Sequence, residues 1–338
     1  MYARPLILAL ALSAGGAAGA QTSSWSTRME PPAQGAPARK APVVPPKAAR
    51  AAVPAQKPAD PLSKFTPAPA KAARPAGQAP ALTGDDAAYL AFDQGKYLTA
   101  LGLAEAMAAR GDAAAHTLVA RIYAEGLGVS KDDITAARWY ARGAELGDIE
   151  AAFAIGVQLA EGRGIEKDRV AAGQMFEQAA LKGHAYAHYN LALLFLDGDG
   201  KPENPYRAAQ HMGYAAERGI AAAQYDLATL FQKGHGVPND AYEAARWMRK
   251  AADQGLPEAE YDYAVLLLRG QGLNSEQPKA VDYLKSAAEK GVAGAQNRLA
   301  NVIADGGRTE KNVGEAAKWR LLAREAGIKD EALDKAIA

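Results

Sequence analysis

The stretch Ala221–Gly255, AAAQYDLATLFQKGHGVPNDAYEAARWMRKAADQG, decides the fold. Ala223, Leu227, Ala228 and Phe231 fall at helical spacing and form one apolar stripe. Gly234 and Gly236 are expected to end that helix, because glycine enters the left-handed cap conformation without a Cβ clash. Val237-Pro238 leads into a loop, since proline cannot continue a helix. Asn239 or Asp240 then offers a side-chain oxygen to the free amides of a second helix. Its inner face is Ala244, Ala245, Met248, Ala251 and Ala252, and Gln254-Gly255 closes it. The unit is an antiparallel helical hairpin.

The hairpin recurs every 36 residues. Gly126, Gly162, Gly198, Gly234, Gly270 and Gly306 form one glycine series, and Gly111, Gly147, Gly183, Gly219, Gly255, Gly291 and Gly327 form another. A fixed period of this length marks a solenoid of stacked units. Positions 36 residues apart make a column, named here by its first member. Column 115 is always alanine, and column 120 is alanine apart from Gly156. Such small side chains let helices approach closely. Columns 119 and 123 hold large, mostly apolar residues that fill the core. Column 132 (Asp132, Asp168, Asn204, Asp240, Glu276, Asn312) is the capping position of each second helix.

The pattern A-x-x-L-A-x-x-F-x-x-G-x-G-V-x-x-D-x-x-x-A-x-x-W-x-x-x-A-A-x-x-G, written out at Ala223–Gly255, resembles the Sel-one-like repeat, a relative of the tetratricopeptide repeat. The resemblance covers residues 113–328 as six full units. It implies an all-α, right-handed superhelical solenoid of stacked helical hairpins, with a role in binding other proteins. Some cysteine-rich members are associated with β-lactam binding or hydrolysis. This chain has no cysteine, so that activity does not carry over. The departures are at the ends. Residues 83–112 read as a shorter, degenerate capping hairpin, Arg308 replaces a loop glycine in the sixth unit, and residues 329–338 read as a capping helix. Terminal repeats depart in this way because their outer faces meet water.

Two segments precede the repeats. Residues 1–20 carry Arg4, an apolar run from Leu6 to Ala14, and small residues before Gln21, the pattern of a cleavable export signal. The expected location after cleavage is periplasmic or secreted, with no membrane anchor remaining. Residues 21–82 hold 13 of the 19 prolines among alanines, with nine Lys/Arg against Glu30 and Asp60. This composition reads as a disordered basic tether, of reach up to about 190 Å. It is expected to be a solvated spacer, or to make a weak contact with anionic cell-wall polymer or lipid headgroups. Its charge of +7 conceals a net −7 on residues 83–338, within a chain of net +1. Nucleic acid is not an expected partner for an acidic body.

Catalytic signals are poor. His184 and His188 are four apart, as helix-borne metal ligands can be, but no nearby Cys or Glu completes a site, and they read as a surface pair. Asp197-Gly-Asp199-Gly superficially matches a calcium loop, yet Lys201 occupies the third ligand position. The G-x-G pairs follow helices and no strand precedes them, so they are not phosphate cradles. No cofactor, metal or catalytic residue is expected.

A partner surface is expected on the first helix of each hairpin, where columns 114, 117, 121 and 125 share a face opposite 119 and 123. In a tetratricopeptide-like stack that face lines the concave groove. Column 117 reads Thr117, Phe153, Tyr189, Tyr225, Tyr261 and Asn297, and Tyr186 adds a ring from column 114. Column 125 reads Glu125, Glu161, Asp197, Lys233, Arg269 and Asp305. The expected site is thus an aromatic ladder of Phe153, Tyr186, Tyr189, Tyr225 and Tyr261, edged by charges that include Lys233 and Arg269 and gripping a peptide or protein segment. The same tyrosines belong to the repeat pattern and serve equally to pack it. A cell-wall or polysaccharide-binding module is the alternative, and an envelope hydrolase a weaker one.

Overall fold

The computed structural model describes residues 87–306 and 312–337. The expected export signal, the tether, residues 83–86 of the first hairpin, Arg308 and Ala338 lie outside the described residues. The described residues form fifteen helices and no strand, numbered in chain order. The first helices of the six repeats are α3 (Ala113–Glu125), α5 (Ile149–Glu161), α7 (Ala185–Asp197), α9 (Ala221–Lys233), α11 (Pro257–Arg269) and α13 (Ala293–Asp305). The second helices are α4 (Asp133–Glu145), α6 (Arg169–Leu181), α8 (Pro205–Glu217), α10 (Ala241–Asp253), α12 (Gln277–Glu289) and α14 (Val313–Glu325). Each is 13 residues long. Before them stands the hairpin α1 (Ala87–Asp93) and α2 (Tyr97–Ala108), and after them the short α15 (Glu331–Ile337). Every repeat helix packs on the helices before and after it in the chain, which makes the array a solenoid.

The hairpin ends follow from the columns. Asp132, Asp168, Asn204, Asp240 and Asn312 accept backbone amides of the helices they precede. Glu276 does not: no side-chain cap forms there, and its carboxylate lies 2.8 Å from Lys279 instead. Glutamate is one methylene too long for the tight loop back to the helix amides that Asp and Asn make. The six first-loop glycines all close their helices in the left-handed conformation, with φ from 63° to 78°.

The second loop glycine has a different job from the one expected. The helix already ends at Gly234. A Cβ on Gly236 would lie 2.0 Å from the carbonyl oxygen of Pro205 in the preceding repeat. Gly164 and Gly272 meet the carbonyls of Asp133 and Ala241 at 2.1 and 2.0 Å in the same way. Each of these three loops therefore seats its bare backbone on the start of the previous repeat's second helix.

All six alanines of column 115 are fully buried, as are those of column 120. Columns 119 and 123 fill the space between, with only Tyr123 half-exposed. Beside this apolar core runs a polar row unforeseen in the sequence. Column 116 reads His116, Ala152, His188, Gln224, Glu260 and Gln296. Gln224 and Gln296 donate from Nε2 to the carbonyls of Ala216 and Ala288, at 2.9 and 3.1 Å, and His188 Nε2 meets Ala180 O at 3.1 Å. Each bond reaches back eight residues, into the last turn of the preceding repeat, and satisfies a carbonyl that the helix end leaves open. Glu260 has no proton to donate when ionised. It accepts from Ser286 at 2.8 Å and from Lys290 at 2.7 Å, and Lys290 supplies the carbonyl bond, to Gly255.

The C-terminal end is held by one buried cation. Arg320 occupies a column that holds Tyr140, Phe176, Met212, Met248 and Leu284 elsewhere. It is 2% exposed, forks onto Asp334 of α15 at 2.7 and 2.8 Å, and donates to Ile328 O at 2.9 Å. Helix α15 is thus fastened by a paired charge together with buried Leu333.

Candidate functional site

The face of columns 114, 117 and 125 divides into a packed interior and an exposed edge. Phe153 and Tyr189 are each 1% exposed, so an aromatic ladder open along the face does not exist at these positions. The reason is the tight stacking, which sets residues at or beyond the next repeat boundary against Phe153 and Tyr189. Phe153 stacks on the imidazole of His184 with centroids 4.3 Å apart, and Tyr186 lies 6.4 Å from it. The Tyr261 ring lies over Gly294, where a Cβ would come within 3.1 Å of it. Tyr186, Tyr225 and Tyr261 are half-buried.

Column 117 also latches the repeats together through its polar tips. The Tyr189 hydroxyl donates to Asp226 at 2.9 Å and the Tyr225 hydroxyl to Asp262 at 2.8 Å. At the ends of the array, Thr117 donates to Asp148 at 2.7 Å and Asn297 to Asp330 at 2.9 Å. Burial pushes the Asp262 carboxyl above its ordinary range, and the Tyr225 bond opposes that shift. Tyr225→Phe is expected to cost about 1–2 kcal/mol in chemical denaturation and to raise the Asp262 pKa further. An unchanged midpoint would show that this hydroxyl does not join the fourth repeat to the fifth.

The exposed part is column 125. Glu125, Glu161, Asp197, Lys233, Arg269 and Asp305 are all at the surface. The order is three acids, two bases, one acid, at the last residue of each first helix. Glu125 pairs with Arg121 at 2.8 Å and Glu161 with Arg163 at 3.1 Å. Asp197 and Asp199 flank Arg169, at 3.9 and 3.0 Å, so the calcium-like loop is tied to a cation of its own chain.

The histidines are not arranged as the sequence suggested. His184 caps α7 by accepting the Ala187 amide at Nδ1, 3.1 Å away, and its ring lies on Phe153. His188 bonds within the hairpin, its Nδ1 2.9 Å from Nδ1 of His211. Among the described residues no group of three His, Cys, Asp or Glu gathers as metal ligands do. A cleft of about 420 Å³ between α10 and α12 is lined by Asp253, Glu260, Lys279, Asp282, Tyr283 and Ser286. Its serine hydroxyl is bonded to Glu260, which Lys290 already neutralises, so that carboxylate serves a structural ion pair.

The Sel1 repeat signature matches the chain at residues 113–148, 149–184, 185–220, 221–256, 257–292 and 293–328. The chain belongs to the Sel1 repeat family. A protective antigen of uropathogenic Escherichia coli displaying an SLR fold is similar at 26% identity and a TM-score of 0.68, over 73% of this chain and 54% of that one. The Sel1 chain thus spans about half the length of that antigen. A Sel1 repeat protein from Oxalobacter formigenes is similar at 28% identity and a TM-score of 0.62, over 72% of this chain and 97% of that one. No curated protein matches. Sel1 repeat proteins are commonly protein-interaction scaffolds and generally non-catalytic. No helix among the described residues is long and apolar enough to cross a membrane.

Proposed function

We propose that this Sel1 protein is an exported, non-catalytic scaffold that binds protein or peptide segments along the edge formed by column 125, with Tyr186, Tyr225 and Tyr261 as the adjoining half-buried rings. The observation that carries this reading is the edge itself. Scaffold positions repeat from unit to unit, whereas column 125 changes sign between Asp197 and Lys233 while staying exposed. A surface that varies on a constant frame is where a repeat protein writes specificity. Glu125, Glu161 and Asp197 already face arginines of their own chain, so its partner would carry acidic groups facing Lys233 and Arg269. The export pattern of residues 1–20 supports an envelope or extracellular setting, and the basic segment 21–82 supports a weak contact with anionic polymer there.

The experiment is photo-crosslinking in the producing cell from Lys233 and Arg269, with identification of whatever is captured. Capture of a defined protein supports the scaffold. The rival, a wall-binding module, is separated by sedimentation with purified cell wall. Co-sedimentation of the full mature chain with no protein captured would favour the rival.

A further inference from the structure

The third repeat differs from the other five at one pair of facing positions. Column 116, on the first helix, meets column 139, on the second. Column 139 reads Trp139, Met175, His211, Trp247, Tyr283 and Trp319. In the first repeat His116 lies on the Trp139 ring, with centroids 5.3 Å apart. Only in the third repeat are both residues imidazoles, His188 and His211, and there they bond to each other.

The protons of this pair follow from its partners. Ala180 O can only accept, so His188 Nε2 carries a hydrogen and points it there, across 3.1 Å. His188 Nδ1 is then the acceptor, and His211 Nδ1 donates to it across 2.9 Å. The neutral pair thereby joins α6, α7 and α8. A first proton has one free lone pair to take, His211 Nε2, and leaves every bond in place. A second must enter at His188 Nδ1, where it sets two N–H groups head to head and abolishes the bond.

The surroundings oppose that second proton. His188 stacks on Tyr214 with centroids 3.7 Å apart, and the Arg218 guanidinium lies 3.3 Å from the centroid of the same Tyr214 ring. His211 stacks on Phe195 at 5.7 Å, with Arg207 5.7 Å from the Phe195 ring. The charged and titratable groups facing the pair are Glu177 from α6, His184 at the start of α7, Arg207 from α8 and Arg218 just after it. Glu177 favours a charge on His211, but it is shared with Lys201 at 2.8 Å.

We propose that His188 and His211 form an acid-operated latch in the third repeat: as neutral rings they clamp α6, α7 and α8 together, and double protonation opens the clamp and loosens the α7–α8 hairpin while its neighbours stay closed. Burial, then His211, lowers the His188 pKa to about 4, and burial lowers that of His211 as well. Both folded values lie below those of the unfolded chain, near 6.5. The stabilisation is therefore complete above about pH 6.5 and is lost as the pH falls toward 4.

The repeats themselves supply the control. Gln224 and Gln296 occupy the column of His188 and make the same backward bond without titrating. His188→Gln should therefore fold, keep the bond to Ala180 and lose the latch. Hydrogen exchange of the full mature chain, corrected for intrinsic rates, reads the result. Between pH 7 and pH 4, protection of α7–α8 is expected to fall by about tenfold or more relative to α9–α10 of the same molecule, since each pH unit between the unfolded value near 6.5 and the folded value near 4 multiplies opening by about ten. His188→Gln should abolish that relative loss. An equal loss in both proteins, or none in the wild type, would overturn the proposal. Imidazole nitrogen shifts give a second readout that needs no variant. His188 should stay neutral at pH 5.5, and titration near 6.5 would overturn the latch.

Discussion

Gly236→Ala is expected to destabilise the protein by about 4 kcal/mol, against about 1 kcal/mol for Gly219→Ala. Both glycines have positive φ, 76° and 87°. Left-handed strain is therefore common to the two variants and sets the smaller value. At Gly219 a new Cβ meets nothing within 4 Å. At Gly236 it would stand 2.0 Å from the Pro205 carbonyl oxygen and 2.9 Å from the Tyr206 nitrogen. Neither is the end of a flexible side chain, so the loop must lift off the preceding repeat. Because each repeat is stabilised by its neighbours, a lifted loop weakens an interface as well as a turn. Urea unfolding of the two variants side by side measures the difference. Equal losses would mean that the second loop glycine is only a turn residue, as its sequence alone suggests.

Gln158→Leu is expected to raise stability by about 2 kcal/mol. Gln158 is 1% exposed, and neither its amide nitrogen nor its amide oxygen has a hydrogen-bond partner. The other five repeats place Ile122, Leu194, Leu230, Leu266 and Val302 in this column. Burying an unsatisfied amide costs about 1–3 kcal/mol, and leucine already fills this column in three other repeats, so the swap removes that cost without opening a cavity. The thermal midpoint should rise by about 4–8 °C for an array of this size. A fall would show that the amide bonds to an ordered water whose loss outweighs the gain.

How much of this was legible depended on whether a feature is local to one hairpin. The stripe Ala223, Leu227, Phe231, the Gly234 cap and the Asp240 cap are all contacts within a few residues, and the 36-residue beat repeats them six times. Features that join one repeat to the next were hidden. Tyr189 and Tyr225 looked free to bind because their acceptors, Asp226 and Asp262, lie 37 residues onward, in the adjoining column 118. That column reads Leu118, Ala154, Asn190, Asp226, Asp262 and Arg298, so tyrosine followed one repeat later by aspartate was a usable signal. Column 116 gave another: polar residues on an alanine-rich stripe that had to be buried. His184 and His188 are four apart in sequence but take different partners. His184 caps the helix from outside, and the true partner of His188 is 23 residues away, in the opposing helix.

The central claim is that the variable charged edge recruits a protein. It is tested most directly by photo-crosslinking in the producing cell from Arg269, in the wild-type chain and in one carrying Lys233→Glu. Surface changes of this kind usually move stability by less than about 0.5 kcal/mol, so a lost adduct cannot be blamed on unfolding once the thermal midpoint is matched. The account predicts a discrete protein adduct in the wild type that is strongly reduced by Lys233→Glu. Capture of cell-wall material alone, or a protein adduct indifferent to the charge at position 233, would contradict it.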